Sequence, residues 1–373
     1  MELSNNQQAF LALVRAGLWE MDACLKQYED IDFQEIYRLA QEQSVVGLLA
    51  AGLERIKDIK VPQEYALNIA GEVLQLEQRN KAMNSFIGAT VDKMREAGII
   101  TLLVKGQGIA QCYERPLWRA CGDVDFFLDE KNFRKAQPFL CSLASSYEPE
   151  LKEEKHQEFV IGPWVVEIHG NLPCHFSKIV DKVLEEVQED TFRNKHLKEW
   201  NNNGTVVYLP CPDNDLLFVF THLLKHYFRG GIGLRQVCDW CRLIWFNYKD
   251  LNSTLLEHRL RKMGLISEWR AFSTLAVMYL GYPTEMMPLY STEKKWERKA
   301  SRILGFIFHT GNFGHNRDSN YYGKYPLLIR KAISFKWRMG DNFRYFTVFP
   351  VDSFRVLWWL IRHSIIDFKD EIR

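Results

Sequence analysis

The sequence predicts an α+β protein, with a mixed α/β core at about residues 98–210 between an all-helical lead-in (1–97) and an all-helical C-terminal part (211–373). Two observations carry this. Apolar residues recur at helical spacing up to Ala97, and the period then shortens at Gly98 into brief β-branched runs punctuated by turn residues. Beyond Pro212 the helical period returns.

The elements follow in order. Phe10, Leu13, Val14 and Leu18 form one helical stripe, and Val45, Val46, Leu48, Leu49 and Leu53 form another. A long helix runs from Glu64 to Ala97, with Pro62 near its start where a missing N–H does little harm. Ile99 to Val104 reads as a buried strand that ends at Gly106 and Gly108 and leads into a helix from Ile109 to Tyr113. Asp123 to Leu128 is a second strand, and Asp129 starts a helix running to about Ser145. Glu158–Ile161 and Trp164–His169 flank the turn dipeptide Gly162-Pro163 as a hairpin, and Val206–Leu209 follows the Asn201–Gly204 turn as a further strand. Leu216, Leu217, Val219, Phe220, Leu223 and Leu224 mark one apolar helix; Val237, Cys238, Trp240, Cys241, Leu243, Ile244 and Trp245 mark the next.

Composition narrows the function. A chain of 373 residues with 47% hydrophobic residues has ample core for two or three domains and is too apolar for a disordered protein. With 48 Lys+Arg against 47 Asp+Glu it lacks the basic excess of a protein that tracks long nucleic acid. The N-terminus does not read as a signal peptide, and the best apolar stretch, Phe346 to Leu360, is interrupted by Pro350, Asp352 and Arg355, so no membrane span is expected. Eight scattered cysteines do not make a disulfide framework, and the cytoplasm is the expected setting.

The chemistry concentrates between Lys105 and Glu167. Lys105-Gly106-Gln107-Gly108, between a strand and a helix, brings backbone N–H groups and an ammonium together as a phosphate seat, although neither the dinucleotide fingerprint nor the P-loop fits. In Arg119-Ala120-Cys121-Gly122-Asp123-Val124-Asp125, strand alternation projects Asp123 and Asp125 from one face, where a hard divalent ion relieves their repulsion. Glu167 shares a strand face with His169 and is costly to bury without a cation, which makes it a third candidate ligand; His169 reads as a structural or supporting group.

His222 and His226 stand at i and i+4, and with Cys238 and Cys241 they match a structural zinc donor set, although the cysteines read better as core. Arg235 and Asp239 either pair along a helix or face the cleft. From Gly314 onward, 11 Lys+Arg against 6 Asp+Glu are interleaved with Tyr321, Tyr322, Phe335, Trp337, Phe343, Tyr345, Trp358 and Trp359. That mixture suits a helical cap with snorkelling basic side chains better than a nucleic-acid or membrane surface.

Taken in order, strand, Lys-Gly, helix, Tyr, Pro, Arg, Gly-Asp-x-Asp, helix and a later Glu-x-His strand, the chain resembles nucleotidyltransferases of the DNA polymerase β-like superfamily. More narrowly it is similar to the bacterial branch of uncharacterised nucleotidyltransferases in which a Leu-Lys-Gly-like segment, here Val104-Lys105-Gly106, replaces Gly-Ser. The resemblance runs from about Val45 to Asp239 and takes in His222 to His226. It implies a nucleotidyltransferase-like sheet core. It also implies that Asp123, Asp125 and Glu167 hold Mg²⁺ or Mn²⁺ on a nucleoside triphosphate and that Glu167 helps deprotonate a hydroxyl of a small-molecule or protein acceptor. By the same resemblance Lys105, Gly106, Gly108, Arg119 and Gly122 take the triphosphate, and His169, His222, Lys225, His226, Arg235 and Asp239 stand around it. A nucleotide-binding or regulatory protein of the same fold without catalysis is the alternative that the Lys105-Gly106 departure keeps open.

Overall fold

The computed structural model describes residues 2–172, 177–194, 196–314, 316 and 325–358. The chain opens with α1 (Asn5–Trp19), α2 (Phe33–Glu42), α3 (Val46–Leu53) and the 34-residue α4 (Gln63–Glu96). The first helix begins at a reciprocal cap, in which Ser4 Oγ accepts from the Gln7 N–H and Gln7 Oε1 accepts from the Ser4 N–H.

The core then alternates. β1 (Leu102–Val104), α5 (Gly106–Ala110), β2 (Asp123–Phe127) and α6 (Glu130–Leu143) come first, with Asp129 capping α6 through the Asn132 N–H. β3 (Ser146–Tyr147), β4 (His156–Ile161), β5 (Trp164–His169), α7 (Lys178–Arg193), β6 (Leu197–Asn202) and β7 (Thr205–Pro210) complete it. The seven strands make one mixed sheet in the order β3-β4-β5-β2-β1-β7-β6. β2 is thus the central strand, antiparallel to β1 and parallel to β5.

Alternation along the strands divides the core. Leu103, Val124, Phe126, Val166 and Ile168 pack against Met83, Ile87, Val91 and Met94 of α4 and Phe133, Ala136 and Leu140 of α6. On the opposite face Leu102, Val104 and Phe127 join the larger core. That core includes α7, whose end brings Phe192 to 4.9 Å from Phe127, centroid to centroid. α8 (Pro212–Arg229), α9 (Leu234–Asn247), α10 (Ser253–Met263), α11 (Ile266–Leu280), α12 (Lys294–Thr310) and α13 (Leu327–Phe346) follow.

The helices at the two ends of the chain share this larger core. Ala9, Phe10 and Leu13 cluster with Trp240, Trp269 and Leu275, and Trp19 Nε1 donates to the Leu280 carbonyl. Buried Gln43 stitches the two ends further: its Nε2 donates to the Ile307 carbonyl at 3.2 Å and its Oε1 accepts from the Leu234 N–H at 2.9 Å.

Three sequence expectations shift. The first strand is shorter than Ile99–Val104, because Ile100 is exposed and its N–H donates to the Asn132 side chain at 2.9 Å. The helix after it begins at Gly106 and ends at Ala110, not Ile109–Tyr113. β6, with the sequence LKEWNN, carries too little apolar character to stand out, and it is an edge strand. In the basic-aromatic stretch, Tyr345 is buried against Tyr227 and Phe306 while Trp337, Phe343 and Trp358 are exposed; Tyr321, Tyr322, Trp359 and the Phe335 side chain lie outside the described residues. No helix among the described residues is long and apolar enough to cross a membrane.

Candidate active site

The site is built where the central strand meets its neighbours. Register pairs Val104 with Asp125 and Asp125 with Glu167, so the end of β1, the middle of β2 and the middle of β5 lie side by side. Asp123, Asp125 and Glu167 face the same way, and their oxygens gather within 4.8 Å of one another. They form part of the lining of a cleft of about 350 Å³ between the sheet and helices α8 and α9.

Lys105 enters from the end of β1. Its backbone turns through φ 57°, ψ −145°, a region that costs a non-glycine residue about 1–3 kcal/mol. Gly106 follows at φ 35°, and a Cβ there would come within 3.1 Å of the Cys121 sulfur, so glycine is required twice over. The strained turn sends Lys105 Nζ to 2.7 Å from Asp125 Oδ1, with Asp125 only 2% exposed. Burial pulls the ammonium pKa down, but Asp125, Glu167 and Asp123 outweigh it and hold Lys105 charged.

The three carboxylates differ in character. Burial pushes Asp125 up, yet Lys105 and the His169 hydrogen bond at 2.9 Å bring it below the usual range. For Glu167 burial is likewise overcome, here by hydrogen bonds from His156 (3.1 Å) and His169 (3.5 Å), and its pKa falls far below normal. Asp123 is pushed up to about 6, first by Asp125, then by burial and Glu167. Of the three, Asp123 lies closest to the range a proton acceptor needs, while Glu167, held ionised, suits a ligand better than a base.

An aspartate whose folded pKa is near 6 against 3.8 unfolded binds its proton more tightly when folded, so metal-free stability drops as pH rises between those values. Asp123→Asn removes that dependence. Comparing urea unfolding at pH 4 and pH 7, the wild type should lose about 2–3 kcal/mol more than the variant over this interval. Equal losses would show that Asp123 does not titrate in this way.

The cleft wall carries a buried ion pair. Arg119 Nε and Nη2 donate to the two oxygens of Asp239 at 2.9 and 2.7 Å, and the Tyr113 hydroxyl donates to the same carboxylate at 2.8 Å. Arg235 Nη1 donates to the Ala120 carbonyl at 2.9 Å, and both arginines border the cleft. Asp239 is therefore the partner of Arg119, a residue distant in sequence, and most donors of that guanidinium are engaged.

The remaining predicted residues divide. Gly122 borders the cleft with open space around it. Gly108 is not part of the cleft lining, and a Cβ there would lie 3.2 Å from Leu209 Cδ2, so close packing beneath β7 favours glycine at this position. His222 and His226 touch through their Nε2 atoms at 3.1 Å, and burial, reinforced by Lys105, keeps both neutral, His226 with a pKa lowered to about 3. Lys225 reaches Glu154 at 3.3 Å on the wall of an adjoining cavity.

The two-His, two-Cys zinc arrangement does not form. Among the described residues, the groups able to hold a metal are Asp123/Asp125/Glu167 and His156/Glu167/His169, and Cys238 and Cys241 are buried in the helical core instead. His156 was not legible as a site residue. Counting outward from the Gly162-Pro163 turn places it opposite His169, but the expected strand stopped at Glu158.

The carboxylate trio and the Lys-Gly turn thus stand side by side on the central strands of one mixed sheet. The profile of the family described as "uncharacterised nucleotidyltransferase" matches residues 29–281, and the chain belongs to that family. No curated protein and no solved structure matches the chain.

Proposed function

We propose that this protein is a metal-dependent nucleotidyltransferase that moves a nucleoside monophosphate from an NTP to a hydroxyl of a small molecule or protein, releasing pyrophosphate. The carrying observation is the convergence of Asp123, Asp125 and Glu167 in a cleft of a chain from a nucleotidyltransferase family. Three carboxylates against the single Lys105 ammonium leave a charge imbalance that a divalent cation corrects, and hard oxygen donors suit Mg²⁺ or Mn²⁺. When bound, the ion supplies charge neutralisation at the triphosphate and activation of the attacking hydroxyl.

The protein's own groups supply the rest. Lys105 and the Gly106 and Gly122 backbones offer positive potential to the triphosphate, and Arg235 reinforces it from the wall, where the charge of Arg119 is balanced by Asp239. The acceptor oxygen forms a bond to the α-phosphorus, the bond from that phosphorus to the β-bridging oxygen breaks, and the hydroxyl proton passes to a carboxylate of the trio. Neutral His222 and His226 border the cleft without adding charge. Every described cysteine is a free thiol, which agrees with a cytoplasmic setting.

One observation favours a second reading. Lys105 Nζ already engages an Asp125 oxygen at 2.7 Å, as expected of a site that binds nucleotide without turning it over. Incubating the protein with each α-labelled NTP, Mg²⁺ and cell extract separates the two. Transfer predicts label on an acceptor, lost in Asp125→Asn. Nucleotide binding without label supports the second reading, and the absence of both overturns the nucleotide assignment.

A further inference from the structure

We infer that His156, Glu167 and His169 form a second metal site, selective for a borderline cation such as Zn²⁺ and open to the cavity beside the cleft. Antiparallel pairing of β4 with β5 sets His156 directly opposite His169, and Glu167 lies two residues before His169 on the same face. One oxygen of Glu167, Oε2, receives both rings, from His156 Nε2 at 3.1 Å and His169 Nε2 at 3.5 Å. The ligand atoms of all three lie within 4.8 Å of one another, and the side chains are 15–22% exposed, partly shielded yet reachable.

Hydrogen bonding alone serves this group poorly. His169 Nε2 also stands 2.9 Å from Asp125 Oδ1, so its one possible proton faces two carboxylates. An imidazole nitrogen that carries no proton presents a lone pair, which a cation between the two nitrogens and Glu167 would use. The donor set decides which cation: two imidazoles and a carboxylate match zinc, whereas Mg²⁺ favours oxygen. Three protein ligands leave a coordination position, and the group forms one wall of a cavity of about 200 Å³. On that wall Asn171 Oδ1 is buried without a hydrogen-bond partner among the described residues, an acceptor suited to a metal-bound water.

The inference shares Glu167 with the proposed nucleotide site but does not rest on that reading, since both nitrogen donors lie outside the carboxylate trio. The test uses full-length protein stripped with chelator and titrated with Zn²⁺ alone, then with Co²⁺ alone to read visible ligand-field absorption. One equivalent of Zn²⁺ should bind, and Co²⁺ should show the spectrum of nitrogen ligation. His156→Gln should weaken Zn²⁺ binding at least a hundredfold. Asp123→Asn, outside the donor set, should weaken Mg²⁺-dependent NTP binding and leave Zn²⁺ affinity within twofold, so failure of the nucleotide reading and failure of the zinc site give different results. Circular dichroism and a urea midpoint establish that the variant is folded; His169→Gln, read for zinc only, replaces it if His156→Gln does not fold. Absence of zinc binding in the wild type, or zinc affinity unchanged in the folded histidine variant, overturns the site.

Discussion

Replacing Asp123 and Asp125 together by asparagine is expected to lower Mg²⁺-dependent NTP affinity by about two to four orders of magnitude. Contacts to a charged group contribute about 1.5–3 kcal/mol each, and about 1.4 kcal/mol corresponds to a factor of ten. The single variants should part company in stability. Asp123 is crowded by Asp125 and Glu167, so Asp123→Asn relieves repulsion and should stabilise the metal-free protein near neutral pH. Asp125 instead receives both Lys105 at 2.7 Å and His169 at 2.9 Å, so Asp125→Asn weakens a buried pair and should destabilise it. Calorimetric titration with Mg²⁺ and NTP, paired with urea unfolding of each variant, reads both effects. Undiminished affinity in the double variant would remove the carboxylates from the site.

Asp239→Ala is expected to cost about 3–5 kcal/mol of stability, the range for removing one partner of a buried pair. Arg119 and Asp239 are 8% and 5% exposed and bonded through two parallel contacts, with the Tyr113 hydroxyl as a third donor. The variant leaves a guanidinium without its counter-charge under α9, and the Arg119 pKa, which burial lowers but Asp239 more than restores, loses its support. Replacing both partners with apolar residues, Arg119→Met with Asp239→Leu, should recover a large part of the loss, because the penalty lies in the orphaned charge. Urea unfolding of the two singles and the double closes the cycle. A cost for Asp239→Ala below about 1 kcal/mol would mean that the pair does not hold α9 to the core.

Much of this was legible in residue order. The change of apolar period at Gly98 located the sheet, and Asp-x-Asp and Glu-x-His in otherwise apolar strands put each pair on one face, as the register bears out. What connects those strands was not legible. The pairing of Asp125 with Glu167 and the bonding of Arg119 to Asp239 join residues distant in the chain, and local spacing carries no trace of either. The turn at Lys105 was read, but its backbone strain was not: a lysine at φ 57° contradicts its own backbone preference, so only the surrounding packing can impose it. Gly108, three residues after Lys105, has a packing reason that the sequence does not display, the side chain of Leu209 from β7.

The central place of β2 has an evolutionary consequence. Interior strands with both faces covered keep their spacing through a continuous hydrogen-bond ladder, so the separation of Asp125 from Glu167 is insulated from changes at the surface. The opposite wall comes from α8 and α9, so substitutions on those helices leave that ladder in place. Under the proposed function, the geometry that would hold the metal and the wall that would meet the acceptor are therefore carried by different elements, and the second is open to change on two helices while the first is kept.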